Sequence, residues 1–260
     1  MSNFDQYVAP RQSESLSRVR RAKIDRGLRA YMLGVYNNMA LGLLITGLVA
    51  FGANLLAVST TPTAYRMGRS VYFTDFGAAI YESPLRWLIM LAPLGMVFFF
   101  SFRIKHMAAS TARAMFLAFS AAMGLSLSSI LLVYAGQSVV QAFFVTSAAF
   151  GSLSLYGYTT RRDLSALGSF LVMGLFGLVI ASLFNLFVQS SGFQFGLSIL
   201  SVLIFSGLTA WDTQAIREIY SAADGEEMIV KKSINGALML YLDFVNIFQS
   251  LLYLMGNRNS

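Results

Sequence analysis

The 260-residue sequence has no cysteine, one histidine and few charges. Without cysteine there is no disulfide, no zinc-thiolate site, no iron-sulfur cluster and no cysteine nucleophile. The single histidine, His106, lies among Arg103, Lys105 and Arg113 and reads as a solvated residue of a basic turn. Lys and Arg number 19 and Asp and Glu 12, so charged residues make up 12% of a chain that is 56% hydrophobic. A domain folded in water carries about 25% charge, and half of that leaves too little polar surface to face water. The chain reads as an integral membrane protein.

What is present is a banded pattern. Short charged bands alternate with long stretches almost free of charge, the first of which runs from Tyr31 to Val58. A helix needs roughly 20 apolar residues to cross about 30 Å of hydrocarbon. Seven stretches qualify, at about 31–58, 85–102, 114–134, 138–158, 164–188, 193–216 and 234–255. The pattern predicts an all-α integral membrane fold of seven transmembrane helices, one domain over residues 31–257 preceded by a basic cytoplasmic arm over residues 1–30. The first stretch far exceeds the roughly 7 to 15 apolar residues of a signal peptide and is expected to stay as a helix. Residues 59–84 form the only sizeable loop and read as an interfacial segment on the outer face. On the third stretch Ser120, Gly124 and Ser128 recur four apart, a spacing that lets helix backbones approach closely in lipid.

Orientation follows from the distribution of Lys and Arg. The side bearing the arm collects fifteen: Arg11, Arg18, Arg20, Arg21, Lys23, Arg26, Arg29, Arg103, Lys105, Arg113, Arg161, Arg162, Arg217, Lys231 and Lys232. The other side has Arg66, Arg69 and Arg86. The N-terminus is therefore expected in the cytoplasm, with the arm apposed to anionic lipid. A fully spanning seventh helix puts the C-terminus outside; a re-entrant one returns it inside.

Ten of the twelve acids keep to loops, and two do not: Asp212 and Asp243, on consecutive helices. A carboxylate in hydrocarbon costs a few kcal/mol and is retained where it meets a cavity, a partner or a pathway. In an antiparallel hairpin the two lie at one depth if the midpoint falls near residues 224–228, where composition alone places the turn. Two carboxylates in a dry site cannot both ionise easily, so the pair should hold one proton near neutrality and serve as a proton-sensitive latch. Asp243, Asn246, Ser250 and Tyr253 follow spacings of 3, 4 and 3 and make one polar stripe, which places the seventh helix at the centre of the bundle. Ionised, the pair attracts cations. As metal ligands, Asp212 and Asp243 supply few of the six to eight oxygens calcium prefers, and Asn246, carbonyls or waters would complete the shell. Two other readings stand beside this one. Each Asp could merely bond a neighbouring helix, or reach the interface near Arg217. An intramembrane aspartyl protease also uses paired carboxylates, but its Gly-x-Gly-Asp motif is missing, since Leu240-Tyr-Leu precedes Asp243. No enzymatic activity and no nucleic-acid partner are expected.

Three segments in this order, Tyr156-Gly-Tyr-Thr-Thr-Arg-Arg-Asp-Leu-Ser165, Phe205-Ser-Gly-Leu-Thr-Ala-Trp-Asp-Thr-Gln-Ala-Ile216 and Leu240-Tyr-Leu-Asp-Phe-Val-Asn-Ile-Phe248, resemble the Bax inhibitor family of transmembrane proteins. The resemblance runs from about Tyr31 to Asn257. It implies six helices around a central seventh, a bacterial inner-membrane location, and a pH-sensitive leak in which calcium is the transported ion and no cofactor is needed. Asp212 and Asp243 match the family's paired aspartates. Arg103 matches a family arginine that pairs with the first aspartate in the closed state. Two departures weaken the transfer of conduction: the second helix reads Met90-Leu-Ala-Pro-Leu-Gly-Met96 with no acid, and Tyr253 stands where some members have an arginine. The family also implies an alternative, a non-conducting regulator that binds a quality-control membrane protease.

Overall fold

The computed structural model describes residues 5–59, 61, 63, 65–67, 71–104 and 106–257; side chains are described from Asp25 onward, except at 65–67 and 71. The side chains of Arg11, Arg18, Arg20, Arg21, Lys23, Arg66, Arg69, Lys105 and Arg258, which entered the charge count, lie outside the described residues. In lipid no water pairs with the backbone, so each apolar run closes its own hydrogen bonds as a helix. Seven helical segments are long and apolar enough to span: Asp25–Ala57, Leu85–Arg103, Ala109–Val133, Gly136–Thr159, Ser165–Val188, Ser191–Glu218 and Glu226–Met255. The elements are α1 (Asp5–Ala57), β1 (Val58–Ser59), β2 (Tyr65–Met67), β3 (Val71–Phe73), α2 (Asp75–Tyr81), α3 (Leu85–Arg103), α4 (Ala109–Leu127), α5 (Ile130–Val133), α6 (Gly136–Thr159), α7 (Ser165–Val188), α8 (Ser191–Glu218) and α9 (Glu226–Met255). The fold is the expected all-α seven-span bundle.

Helix α9 is the central one. It packs against α1, α4, α6 and α8, while α3 leans on α4 and α7 on α8 from the flanks. Ile234, Ala237, Leu240, Tyr241 and Ile247 of α9 have no exposed surface. It begins eight residues before the expected 234. Glu226 and Glu227 stand in its first turn, where the helix dipole favours acids, and Glu227 pairs with Lys231 at 3.5 Å. The charge that marked a loop in the sequence thus belongs to the emergent turns of a helix. Lys232 closes the α8–α9 turn, bonding Asp224 at 2.5 Å and the Ile219 carbonyl at 2.8 Å. At the start of α7 the Ser165 side chain and backbone bond the Asp163 carboxyl and hold it below the usual carboxylate range.

The opposite end carries a cap that the sequence did not reveal as sheet. Strands β1, β3 and β2 pair in that order, antiparallel. Runs of two or three residues are too short to show strand alternation. Phe73 is buried beneath the sheet, and Thr74 caps α2 by accepting from Gly77 at 3.1 Å while donating to the Leu56 carbonyl at 2.7 Å. The end of α9 lies at this face too: Ala135 donates to the Asn257 carbonyl, and Asn257 to Ser138 Oγ, both at 3.0 Å. Helix α9 therefore spans fully, and its end is on the face opposite the α8–α9 turn.

Among the spans, two glycines let one helix backbone approach another closely. A Cβ on Gly124 would stand 2.6 Å from the Thr46 carbonyl oxygen of α1, and one on Gly157 would collide with the Ala210 carbonyl of α8. Ser120 and Ser128, one turn either side of Gly124, are fully buried, so the small-residue spacing is a packing seam. Gly124→Leu is expected to lower thermal stability in detergent by the equivalent of about 1–3 kcal/mol. Gly47→Ala, whose Cβ meets nothing within 4 Å, should leave the melting temperature unchanged or raise it; equal losses in the two would refute the seam.

Candidate functional site: a carboxyl pair at the bundle centre

Helices α8 and α9 run antiparallel in one register: Ile216 packs on Gly236, Asp212 meets Asp243, and Ser201 bonds Ser250 at 2.8 Å. The register turns the two carboxyl groups toward each other, close enough to interact. Asp212 is 7% exposed and Asp243 3%. Among the described residues no Lys or Arg forms an ion pair with either, and Asp243 Oδ2 is buried with no other donor in reach. An ionised carboxylate only accepts hydrogen bonds. Two carboxylates facing each other without a cation repel, and a single shared proton would relieve that repulsion.

A hydroxyl chain runs to the neighbourhood of Asp212. Tyr36 Oη of α1 lies 2.6 Å from Ser154 Oγ of α6, which lies 3.0 Å from Thr213 Oγ1, the residue after Asp212. Thr209 and Thr213 are fully buried and donate to carbonyls one turn earlier at 2.7 Å. On the far side of α9, Thr46 Oγ1 lies 2.9 Å from the Gly42 and Ser120 carbonyls, so it is the Tyr241 hydroxyl, at 2.7 Å, that donates to Thr46. Gln214 ties α8 to the α6–α7 turn, accepting from Leu164 N and donating to the Arg162 carbonyl, both at 2.8 Å. Sequence reasoning missed Tyr36 and Ser154; a lone tyrosine or serine on an apolar helix carries no periodic signal.

The expected stripe divides. Asp243 joins the pair, whereas Asn246, Ser250 and Tyr253 line a cavity of about 520 Å³ between α7, α8 and α9 on the capped side, with Gln194, Ser198 and Ser201 opposite. Asn246 Nδ2 donates to the Leu242 carbonyl at 2.8 Å. Arg103 is exposed at the end of α3, and among the described residues no hydrogen bond or ion pair joins it to Asp212. Arg217 does not reach Asp212 either: it bonds the Tyr158 and Thr160 carbonyls and Glu218. His106 is exposed in the turn after α3. Asn38 bonds Ser233 at 3.0 Å, and Asn185 bonds Gln194 at 2.8 Å and Ser190 N at 3.3 Å within the α7–α8 turn. These polar residues serve packing rather than the pair. Among the described residues no group of three or more His, Cys, Asp and Glu gathers, so a cation at the pair would rely on amide, carbonyl and water oxygens.

The contact itself is open to test. Asp243→Asn supplies a neutral donor and is expected to melt at or above the wild-type temperature. Asp243→Ala leaves Asp212 buried without its partner, at a cost of about 1–3 kcal/mol, visible as a lower melting temperature. Equal melting of the two variants would show that the carboxyls do not depend on each other.

Comparison with known proteins fits this geometry. The family model described as inhibitor of apoptosis-promoting Bax1 matches residues 28–260. The chain is 44% identical over 234 residues to protein RP147 of Rickettsia prowazekii strain Madrid E, covering 90% of this chain and 92% of that one. It is 40% identical over 235 residues to inner membrane protein YbhL of Escherichia coli K12, covering 89% and 93%. A protein of Caulobacter vibrioides is 40% identical over 237 residues, 90% and 92% of the two chains. A family match over residues 28–260, together with relatives matched over more than nine-tenths of their length, one of them an inner membrane protein, establishes that this chain belongs to the Bax inhibitor family of integral membrane proteins.

Proposed function

We propose that the protein is a pH-sensitive cation leak of a bacterial inner membrane, with calcium as the transported ion and the Asp212–Asp243 pair as its proton sensor. The observation that carries this reading is that two buried carboxyls face each other at the bundle centre and that neither forms an ion pair with a Lys or Arg among the described residues. While a proton is shared the pair is a closed hydrogen bond. Once it leaves, two like charges face each other in a poorly hydrated site, so they separate or take up a cation. The cavity lined by Asn246 and Ser250 begins one turn of α9 from Asp243 and offers the hydrated approach from the capped side. There Asn246 and waters would supplement the two carboxylates around calcium. With the N-terminus in the cytoplasm, as the distribution of Lys and Arg favours, the capped side faces outward.

Arg103 enters as the residue that pairs with Asp212 in a second arrangement. It stands on α3, which packs only on α4 and α2 among its larger contacts and is the span least held by the bundle. A shift of α3 is therefore the movement that brings guanidinium and carboxylate together.

The test is calcium flux into liposomes holding wild type, Asp212→Asn, Asp243→Asn or Arg103→Ala, measured across about pH 6 to 8 around neutrality, with any pH response read as that of the coupled pair. Wild type is expected to show a pH-dependent flux that both Asn variants lose. The direction identifies the latch: flux that rises on acidification reports release of Asp212 from Arg103 and disappears in Arg103→Ala, whereas flux that rises with pH reports repulsion within the pair. An unaltered pH response in Asp212→Asn removes the pair as sensor. Absence of flux in all four supports instead a non-conducting regulator that binds a membrane protease.

A further inference from the structure

Helices α1 and α6 both pack on α9 but leave between them a cleft of about 700 Å³ that opens sideways. Its walls are apolar, with Met39 and Leu43 from α1 and Phe150 from α6, and Phe244 of α9 closes its far end. At its mouth stands Arg29, exposed and in no ion pair with an acid among the described residues. Arg29 and Leu43 are 14 residues apart on one helix, about 21 Å at 1.5 Å per residue. One leaflet of a bilayer, headgroup included, is about 20–22 Å deep. The cleft thus begins at a cation at headgroup depth and ends at the hydrocarbon midplane, and its polarity changes as a lipid's does along its length.

We propose that the α1–α6 cleft binds one anionic phospholipid from the leaflet on the Arg29 side, its phosphate at Arg29 and an acyl chain against Met39, Leu43 and Phe150. Charge complementarity selects the headgroup, as at basic pockets between membrane helices, and the length of the cleft admits a single chain. A bound chain separates the Tyr36–Ser154 hydroxyl pair, which sits in the cleft wall, from bulk lipid.

Native mass spectrometry of the full chain, purified and equilibrated in detergent with equal phosphatidylglycerol and phosphatidylcholine, reads this out. Wild type is expected to retain one phosphatidylglycerol, favoured over phosphatidylcholine by about fivefold or more, the ratio that one basic residue near the surface supplies. Arg29→Gln should bind both lipids equally. A Cβ at Gly151 meets nothing within 4 Å, so Gly151→Trp fills the cleft and should lose the retained lipid while keeping its helical circular dichroism; if it does not fold, Ala40→Trp on the opposite wall takes its place. Inorganic phosphate at the same concentration should not raise the melting temperature as phosphatidylglycerol does. Equal retention of the two lipids by wild type, undiminished retention with the cleft filled, or equal stabilisation by phosphate would each overturn the assignment.

Discussion

A pair of buried carboxyl groups facing each other at the centre of a membrane bundle, with no lysine or arginine in an ion pair with either among the described residues, is the constraint around which this molecule is arranged. A lone carboxylate there is costly, and two in contact are tolerable only while a proton binds them together. That requirement fixes the register of α8 on α9. It also keeps α9 at the centre, since any lipid-facing rotation would expose Asp243 to hydrocarbon with its one partner lost. On the proposed reading the pair is also responsive, since losing a shared proton would leave two like charges facing each other.

The surrounding packing divides into a fixed part and a looser part. The glycine contacts at Gly124 and Gly157 lock α4 to α1 and α6 to α8 by backbone approach, where there is no side chain to yield. Hydroxyls and amides then tie these helices across the core, from Tyr36 through Ser154 to Thr213 and from Tyr241 to Thr46. Helix α3 has no comparable seam, and Arg103 stands exposed at its end. For the proposed leak, this would set the carboxyl pair between fixed helices and Arg103 on a peripheral one.

The spans and the pair were legible in the sequence for one physical reason: hydrocarbon penalises charge so heavily that each charged residue reports its depth. The positions of Asp212 and Asp243 on consecutive antiparallel helices put them at similar depth, although the turn between those helices, after Glu218 and before Glu226, comes earlier than residues 224–228. Legibility failed where lipid imposes no penalty. The start of α9 was hidden by Glu226, Glu227, Lys231 and Lys232, which are as acceptable on an emergent helix as in a loop. The three-stranded cap lies outside the membrane, in strands too short for periodicity. The stripe from Asp243 to Tyr253 was read correctly as one helix face, but helical spacing does not say that the first residue meets α8 while the next ones line a separate cavity. Ser154 was invisible because a single short hydroxyl on an apolar helix bonds its own backbone as readily as a neighbour, and Tyr36 because a lone tyrosine on an apolar helix reads as one more apolar ring.

The shared proton is the central claim, and infrared spectroscopy of the purified protein with isotope-labelled aspartate measures it directly. At neutral pH the account predicts a protonated-carboxyl stretch equivalent to one group per molecule, absent from the double variant Asp212→Asn with Asp243→Asn. A wild-type spectrum holding only carboxylate bands at neutral pH would contradict it.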